Sequence, residues 1–388
     1  MDFEFPLQLE TFRAEVKEWI RKELPADWEG GGFEEEDPGE SQGIRRKLAQ
    51  KGWLTLAWPK QYGGMEVPHY QQMVFNEEMA YHRVPAQDNS VTMLGPILML
   101  EGTEEQKQEF LPRIARAEMR WGQGYSEPGS GSDLASLQTT AVADGDDFVI
   151  NGTKIWTSGA HNAQWLFMLA RTDQDAPKHR GISFLLVDMK SPGLTVRPII
   201  NMAGIHGFNQ LFFDNVRTPK KYLVGEYNRG WYVGARLLDF ERSGVGRSAG
   251  GKRILEELVE FAKETNWDGK PMAKKPEVRN RLADMAVEVE VSRMISYRIG
   301  YLQSKGEVFN KEASVGKVFG SEMTQRLYRT GMSMMGLYGT LSRGSKWAPL
   351  HGRIQRGFLT SFSSTIAAGT SEIQRNVIAQ RGLGLPRG

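Results

Sequence analysis

A chain of 388 residues is too long for one compact core and calls for two or three domains at roughly 100–200 residues each. Its 40% hydrophobic and 25% charged content is that of a globular protein, and a formal charge of +2 with acids and bases interspersed excludes the electrostatic footprint of a nucleic-acid binder. The lack of cysteine removes disulfides, thiolate nucleophiles and Cys-ligated zinc, and the six histidines show no metal-ligand spacing, so no metal site is expected. The N-terminus MDFEFPLQLE is acidic and unlike a secretory signal, and no apolar run approaches the ~20 residues needed to span a bilayer, so a cytoplasmic protein without a membrane partner is expected.

Phe12, Val16, Trp19 and Ile20 follow helical spacing and predict an amphipathic first helix ending near Leu24-Pro25. A Gly- and Glu-rich loop (29–40) precedes a second helix over 44–53, the turn-rich WPKQYGG (58–64) follows it, and 69–82 reads as a longer helix. Thr103 with Gln106 forms a capping box for a helix running toward Leu111. Residues 1–118 therefore read as an all-helical domain.

From about Trp121 the period changes. Short runs rich in β-branched and aromatic residues, 139–144, 148–150, 165–172, 181–188, 194–200 and 210–216, are separated by turn signals. Asn151-Gly152 is the strongest hairpin signal among them. Residues 119–228 are expected to form a β-barrel or sandwich domain. Ahead of these strands lies Gly124 to Asp133, GYSEPGSGSD, whose glycines, small hydroxyls and proline are poor material for a helix or strand and read as a binding loop.

Helical periodicity returns over 232–265, 277–305 and 310–337. Leu282, Met285, Val289 and Ile295 share one stripe, and Val315, Phe319, Met323 and Leu327 another, as expected for the interior of a bundle. The basic stretch 270–279 reads as a solvated loop. A last helix is expected to start near Ser371, with its hydroxyl as the cap and Gln374 at the reciprocal position. Residues 229–388 make the C-terminal helical domain, and the fold class is α+β.

In its order of motifs, WPKQYGG, GTEEQKQEFLP, SEPGSGSD, NGTKIWTSG and AAGTSEIQRN, essentially the whole chain resembles the acyl-CoA dehydrogenase family. The resemblance implies FAD, a helical–β–helical fold ending in a four-helix bundle, oxidation of an acyl-CoA thioester to its α,β-enoyl form, and an electron-transfer flavoprotein as acceptor. It also places Tyr125, Ser126, Trp156 and Ser158 around the flavin ring, which needs donors at its polar edge and an aromatic or apolar wall at its face. Thr370 and Glu372 match further flavin positions, and Ser132 a substrate position. Ala368 and Gly369 also fall at substrate-binding positions, where the backbone N–H of Ala368 could donate to the thioester oxygen.

Abstraction of the α-proton needs a shielded carboxylate. Much of the family carries it at the position that is Ala368 here, whereas a minority, including isovaleryl and long-chain types, carries it at the position of Glu241. Glu241 is thus the expected base, with Arg242 orienting the site or the CoA. The family also completes each flavin site from a neighbouring subunit, through an Arg-x-x-Phe-Gly segment, a later glutamine and a Gln-x-x-Gly-Gly-x-Gly stretch. Here Glu264 stands at the arginine, Pro276 at the glutamine, and Ser333 to Gly339 loses the glutamine and puts Leu337 at a glycine. An acid facing a pyrophosphate is repulsive, and a leucine blocks close backbone approach.

That pattern resembles the two-subunit α2β2 branch acting on CoA thioesters of steroid side chains, and it implies a homologous second subunit. Three alternatives stay open: a non-catalytic subunit of such a complex, a homotetrameric branched- or long-chain acyl-CoA dehydrogenase, and a flavin oxidase or monooxygenase on the same fold acting without CoA.

Overall fold

The computed structural model of the chain describes residues 6–26, 28, 30, 38–86, 88–237, 244–307 and 309–386. Contacts divide it into two units. One joins 1–30 and 68–84 to 242–388, the other joins 31–67 to 85–241, so the N-terminal helices are shared between them.

The first unit is helical. The helices α1 (Leu7–Glu23) and, after α2 (Pro38–Gln50) of the other unit, α3 (His69–Tyr81) bury Phe12, Val16 and Ile20 and Met73 to Phe75 respectively. Arg13 reaches from α1 to Glu77 (2.8 Å) and Glu78 (2.6 Å) on α3. Burial alone would push the Glu77 carboxyl up, but Arg13, Tyr297 and Arg293 hold it below its usual range, which keeps it ionised.

In the second unit, α4 (Gly95–Glu101) and α5 (Glu104–Ala115) precede the sheet. Both halves of the capping box expected at Thr103 and Gln106 are present, and the buried Gln106 amide also donates to the carbonyls of Lys221 (2.7 Å) and Leu223 (2.8 Å), so a helix cap doubles as a tie to the β region. The strands are β1 (Trp121–Gly124), β2 (Thr140–Asp144), β3 (Asp147–Lys154), β4 (Trp165–Arg171), β5 (Ile182–Asp188), β6 (Leu194–Ile200), β7 (His206–Pro219) and β8 (Leu223–Val224). They form one eight-stranded sheet in the order β6-β7-β3-β2-β4-β5-β8, with β1 parallel to β4. β4 and β5 are buried along almost their whole length and form the centre of its core with Phe148, Ile150, Leu211 and Phe213.

β2 and β3 join in a hairpin through Gly145-Asp146, but the hairpin expected at Asn151-Gly152 does not form. It lies inside β3 at a register shift against β7, where Gly152 has φ 142° and a Cβ would sit 2.6 Å from Thr139 Oγ1. The signal was a bulge that only glycine fits.

After α6 (Gly230–Leu237), which closes the second unit, the first unit continues with α7 (Val245–Glu264) and a two-residue hairpin, β9 (Asn266–Trp267) and β10 (Lys270–Pro271). The long helices α8 (Pro276–Ser304) and α9 (Asn310–Met335) follow, then α10 (Arg353–Ser364), which had no sequence expectation, and α11 (Ser371–Val377). Leu282, Met285, Val289, Met323 and Leu327 are buried in one core as the stripes predict. Val315 is instead exposed, because the buried face of α9 runs through Ala313, Ser314 and Gly320. The stretch 270–279 is also more than a loop: Met272 is buried and Pro276 opens α8. No helix among the described residues is long and apolar enough to cross a membrane.

Candidate active site

The loop after β1 is held from within. The N–H groups of Glu127 and Ser130 bond each other's carbonyls (2.8 and 3.0 Å), and the buried Ser130 hydroxyl donates to Asp133 O (3.0 Å). Under the turn, the Glu127 carboxylate accepts from the N–H groups of Gln138 (2.6 Å) and Thr139 (2.9 Å) and from Lys154 Nζ (2.7 Å), which also donates to Tyr125 O (3.1 Å). Lys154 has no exposed surface. Burial pulls its ammonium down to about 8 against the attraction of Glu127, which leaves it charged at neutral pH. Glu127 in turn stays below its usual range despite its own burial, held there by Lys154 and the two N–H groups. This pair was not assigned a role from the sequence.

Gly129 and Gly131 sit on the outside of the turn, where an added Cβ would meet nothing within 4 Å. No neighbour within the chain demands glycine there, and the space beside both is open. Ser126 is half-buried and Ser132 exposed. The Tyr125 ring points the other way, into the core beside Phe167 (6.1 Å) and Phe184 (6.5 Å), and its buried hydroxyl has no hydrogen-bond partner among the described residues. Its carbonyl is likewise turned inward, to Lys154, so Tyr125 as a whole is buried.

Beyond Lys154 the chain leaves β3 and alternates sharply. Trp156 is 55% exposed, Thr157 is fully buried and Ser158 is exposed. Trp156 has φ 61°, a left-handed conformation that a bulky residue avoids at a cost of roughly 1–2 kcal/mol. The exposed indole, its ring edge-on to Phe208 at 6.0 Å, is held in a strained backbone conformation and stands in the same unit as the glycine turn. A hydroxyl on each segment, two bare glycines and an aromatic plate fit a flavin.

In the helical unit, α10 is followed by Ala368 at φ 54° and Gly369 at φ 81°. Gln374 Nε2 donates to Ala368 O (3.0 Å), and a Cβ on Gly369 would lie 2.5 Å from the same nitrogen. Thr370, not Ser371, caps α11: its Oγ1 accepts from Ile373 N (3.2 Å), while Ser371 is the first helical residue and its buried hydroxyl lacks a partner among the described residues. The sequence misplaced the cap by one because Thr and Ser are adjacent and Gln374 was expected to reach the cap rather than Ala368. Glu372 is exposed, its carboxyl held below the usual range by N–H donation from its own backbone and by Thr370. On α9, Lys317 Nζ is buried with no hydrogen-bond partner among the described residues; burial and Arg247 pull it down to about 8. No sequence signal marks it. Glu241 and Arg242 lie outside the described residues.

The segments that depart from the family's pattern are at the surface of this unit. Glu264 is exposed at the end of α7, and Pro276 is spent on starting α8. Leu337 is 86% exposed, just after Gly336 at φ 55°.

Three descriptions of one family together match most of the chain. "Acyl-CoA dehydrogenase, N-terminal domain" covers residues 8–118, the "middle domain" 122–216 and the "C-terminal domain" 228–383. The chain is 38% identical over 392 residues to the acyl-CoA dehydrogenase IpdE1 of Mycobacterium tuberculosis, covering 98% of each, and 37% identical over 348 residues to FadE26 of the same organism, covering 88% of this chain and 87% of FadE26. Among solved structures it is similar to the Tcur3481-Tcur3483 steroid ACAD, with a TM-score of 0.91 at 34% identity and all of both chains covered. It is likewise similar to the ChsE4-ChsE5 complex of Mycobacterium tuberculosis, with a TM-score of 0.89 at 35% identity over all of both chains. The chain is a member of the acyl-CoA dehydrogenase family, enzymes that oxidise acyl-CoA with a flavin.

Proposed function

We propose that this chain is the base-carrying subunit of an FAD-dependent dehydrogenase that converts a bulky, steroid side-chain type acyl-CoA to its trans-2-enoyl product. In this reading Glu241 takes the α-proton, Arg242 orients the CoA ester, and the N–H of Ala368 donates to the thioester oxygen as it gains charge. Bound flavin supplies a hydride acceptor for the β-carbon. Ser126 and Ser158 donate to the ring's polar edge and Trp156 walls its face; Thr370 and Glu372 serve the same cofactor, and Ser132 and Gly369 the substrate.

The observation that carries the reading is an asymmetry. The segments assigned here to the chain's own flavin half carry glycines with open space beside them, a hydroxyl apiece and an exposed, strained Trp156. The segments it would lend to a neighbour depart from the family's pattern: Glu264 puts an acid where a pyrophosphate would lie, and Leu337 stands 86% exposed where the family has a glycine. A homologous second chain that supplies those parts, in an α2β2 assembly with two flavins, reconciles the two halves. Similarity to proteins described as a steroid ACAD and as a two-component complex supports both the partner and the substrate class. Electrons would leave through an electron-transfer flavoprotein, and a cytoplasmic location fits that exchange.

The test is anaerobic addition of CoA thioesters to the assembled, flavin-loaded protein. Steroid side-chain thioesters are expected to bleach the flavin and yield the enoyl product faster than linear ones of similar length. Equal rates would remove the substrate assignment, and oxidation of substrates lacking CoA would replace the dehydrogenase reading with an oxidase.

A further inference from the structure

The strand end that carries Trp156 and Ser158 is gripped from below by one buried side chain. Asn209, on β7, has no exposed surface. Its main-chain carbonyl accepts from Thr157 N (3.0 Å), and its side-chain Nδ2 donates back to Thr157 O (3.1 Å). The second Nδ2 hydrogen goes to His161 Nδ1 (3.1 Å), and Oδ1 accepts from His206 Nε2 (2.9 Å). The two imidazoles stack at 4.0 Å.

This set of bonds fixes its own proton positions. Thr157 O can only accept, so Nδ2 and not Oδ1 must face it. With the amide so oriented, His161 Nδ1 must be an unprotonated acceptor and His206 Nε2 must carry its hydrogen. The Thr157 side chain is also confined, because a Cβ on Gly122 would meet its methyl at 3.3 Å. Thr157 is thus bound on both main-chain groups and packed against β1, and the residues on either side of it, Trp156 and Ser158, face outward. The next turn is tied to the same strand, through Gly159 N to Gly207 O (3.0 Å).

We infer that Asn209 is a positioning residue for the flavin wall: by clamping Thr157 it holds Trp156 in its left-handed conformation and sets the direction of Ser158. The role of the wall itself rests on the function proposed above; the clamp does not. Neither the family's motifs nor any expectation from the sequence singled out Asn209, His161 or His206.

Two variants test it, Asn209→Leu, which removes the amide at similar volume, and Asn209→Asp, which keeps the shape and the acceptor for His206 but puts an oxygen against Thr157 O. Hydrogen exchange of the flavin-free protein is compared at the Thr157 and Gly159 amides and along β4 and β5, which report that the domain is folded. Both variants are expected to exchange about tenfold faster at 157 and 159 with β4 and β5 unchanged, the loss expected when a buried carbonyl goes unpaired. In the assembled protein, flavin retention is expected to weaken about tenfold, with a change in the flavin's visible circular dichroism. Unchanged exchange in both variants overturns the clamp. Faster exchange with flavin retention and spectrum unaltered supports the clamp and counts against the placement of Trp156 and Ser158 at the flavin, so the two ideas fail separately.

Discussion

Glu241→Gln is expected to lower turnover by about 10²–10⁴-fold, the share that a positioned general base contributes. Glutamine keeps the size and the acceptor oxygen but cannot take a proton, so the loss should fall on kcat with little change in KM. The protein should remain yellow, since Glu241 is not assigned to the flavin. Two positions point to Glu241 together. With alanine at 368 the position where much of the family carries its base has no carboxylate, and Glu241 stands at the other place where members of this family carry one. Steady-state rates with the assembled protein and a substrate that bleaches the wild-type flavin give the answer. Full activity in the variant would move the base to another residue or to the second subunit, and this chain would become a non-catalytic component.

Lys154→Met carries the second large effect, on stability. It leaves the Glu127 carboxylate buried with only the Gln138 and Thr139 N–H groups, and breaking a buried pair from one side costs about 3–5 kcal/mol. The unfolding midpoint of the variant should fall accordingly. Removing both charges, in Glu127→Gln with Lys154→Met, should restore much of the loss, because the penalty belongs to the stranded carboxylate rather than to the missing bond. The consequence for the site follows from geometry. Lys154 draws the Tyr125 carbonyl inward, and across a trans peptide the Ser126 N–H then points the opposite way. Loosening Lys154 should therefore free the segment that bears Ser126 as well as the turn beyond it. A midpoint within about 0.5 kcal/mol of wild type, the range of ordinary surface substitutions, would mean that the turn is held by its own hydrogen bonds alone.

Much of this fold could be read from the residues because periodicity is local. The buried stripes of α8, the runs of β4 and β5 and the capping box of α5 each declare themselves within a few turns or a few residues. What could not be read depends on partners distant in sequence. Lys154 meets Glu127 from 27 positions away and Asn209 meets Thr157 from 52, and no spacing rule marks either. Gly152 misled for a related reason: Asn-Gly is a turn signal only if the next strand folds back, and here Thr139 crowds the position while β7 continues alongside. Tyr125 shows the limit of a motif. The residue type alone does not tell that the ring packs beside Phe167 and Phe184 or that the carbonyl turns inward to Lys154.

The glycine turn, the strained indole and the departures at Glu264 and Leu337 are the observations behind the proposal that this chain supplies half of a flavin site. The ratio of flavin to chain, determined together with the assembly mass for the protein expressed alone and then with a homologous second chain, tests that claim most directly. Colourless or poorly loaded protein is expected alone, and a yellow tetramer with one flavin per two chains once the partner is present. One flavin per chain in a homotetramer made without any partner would contradict it.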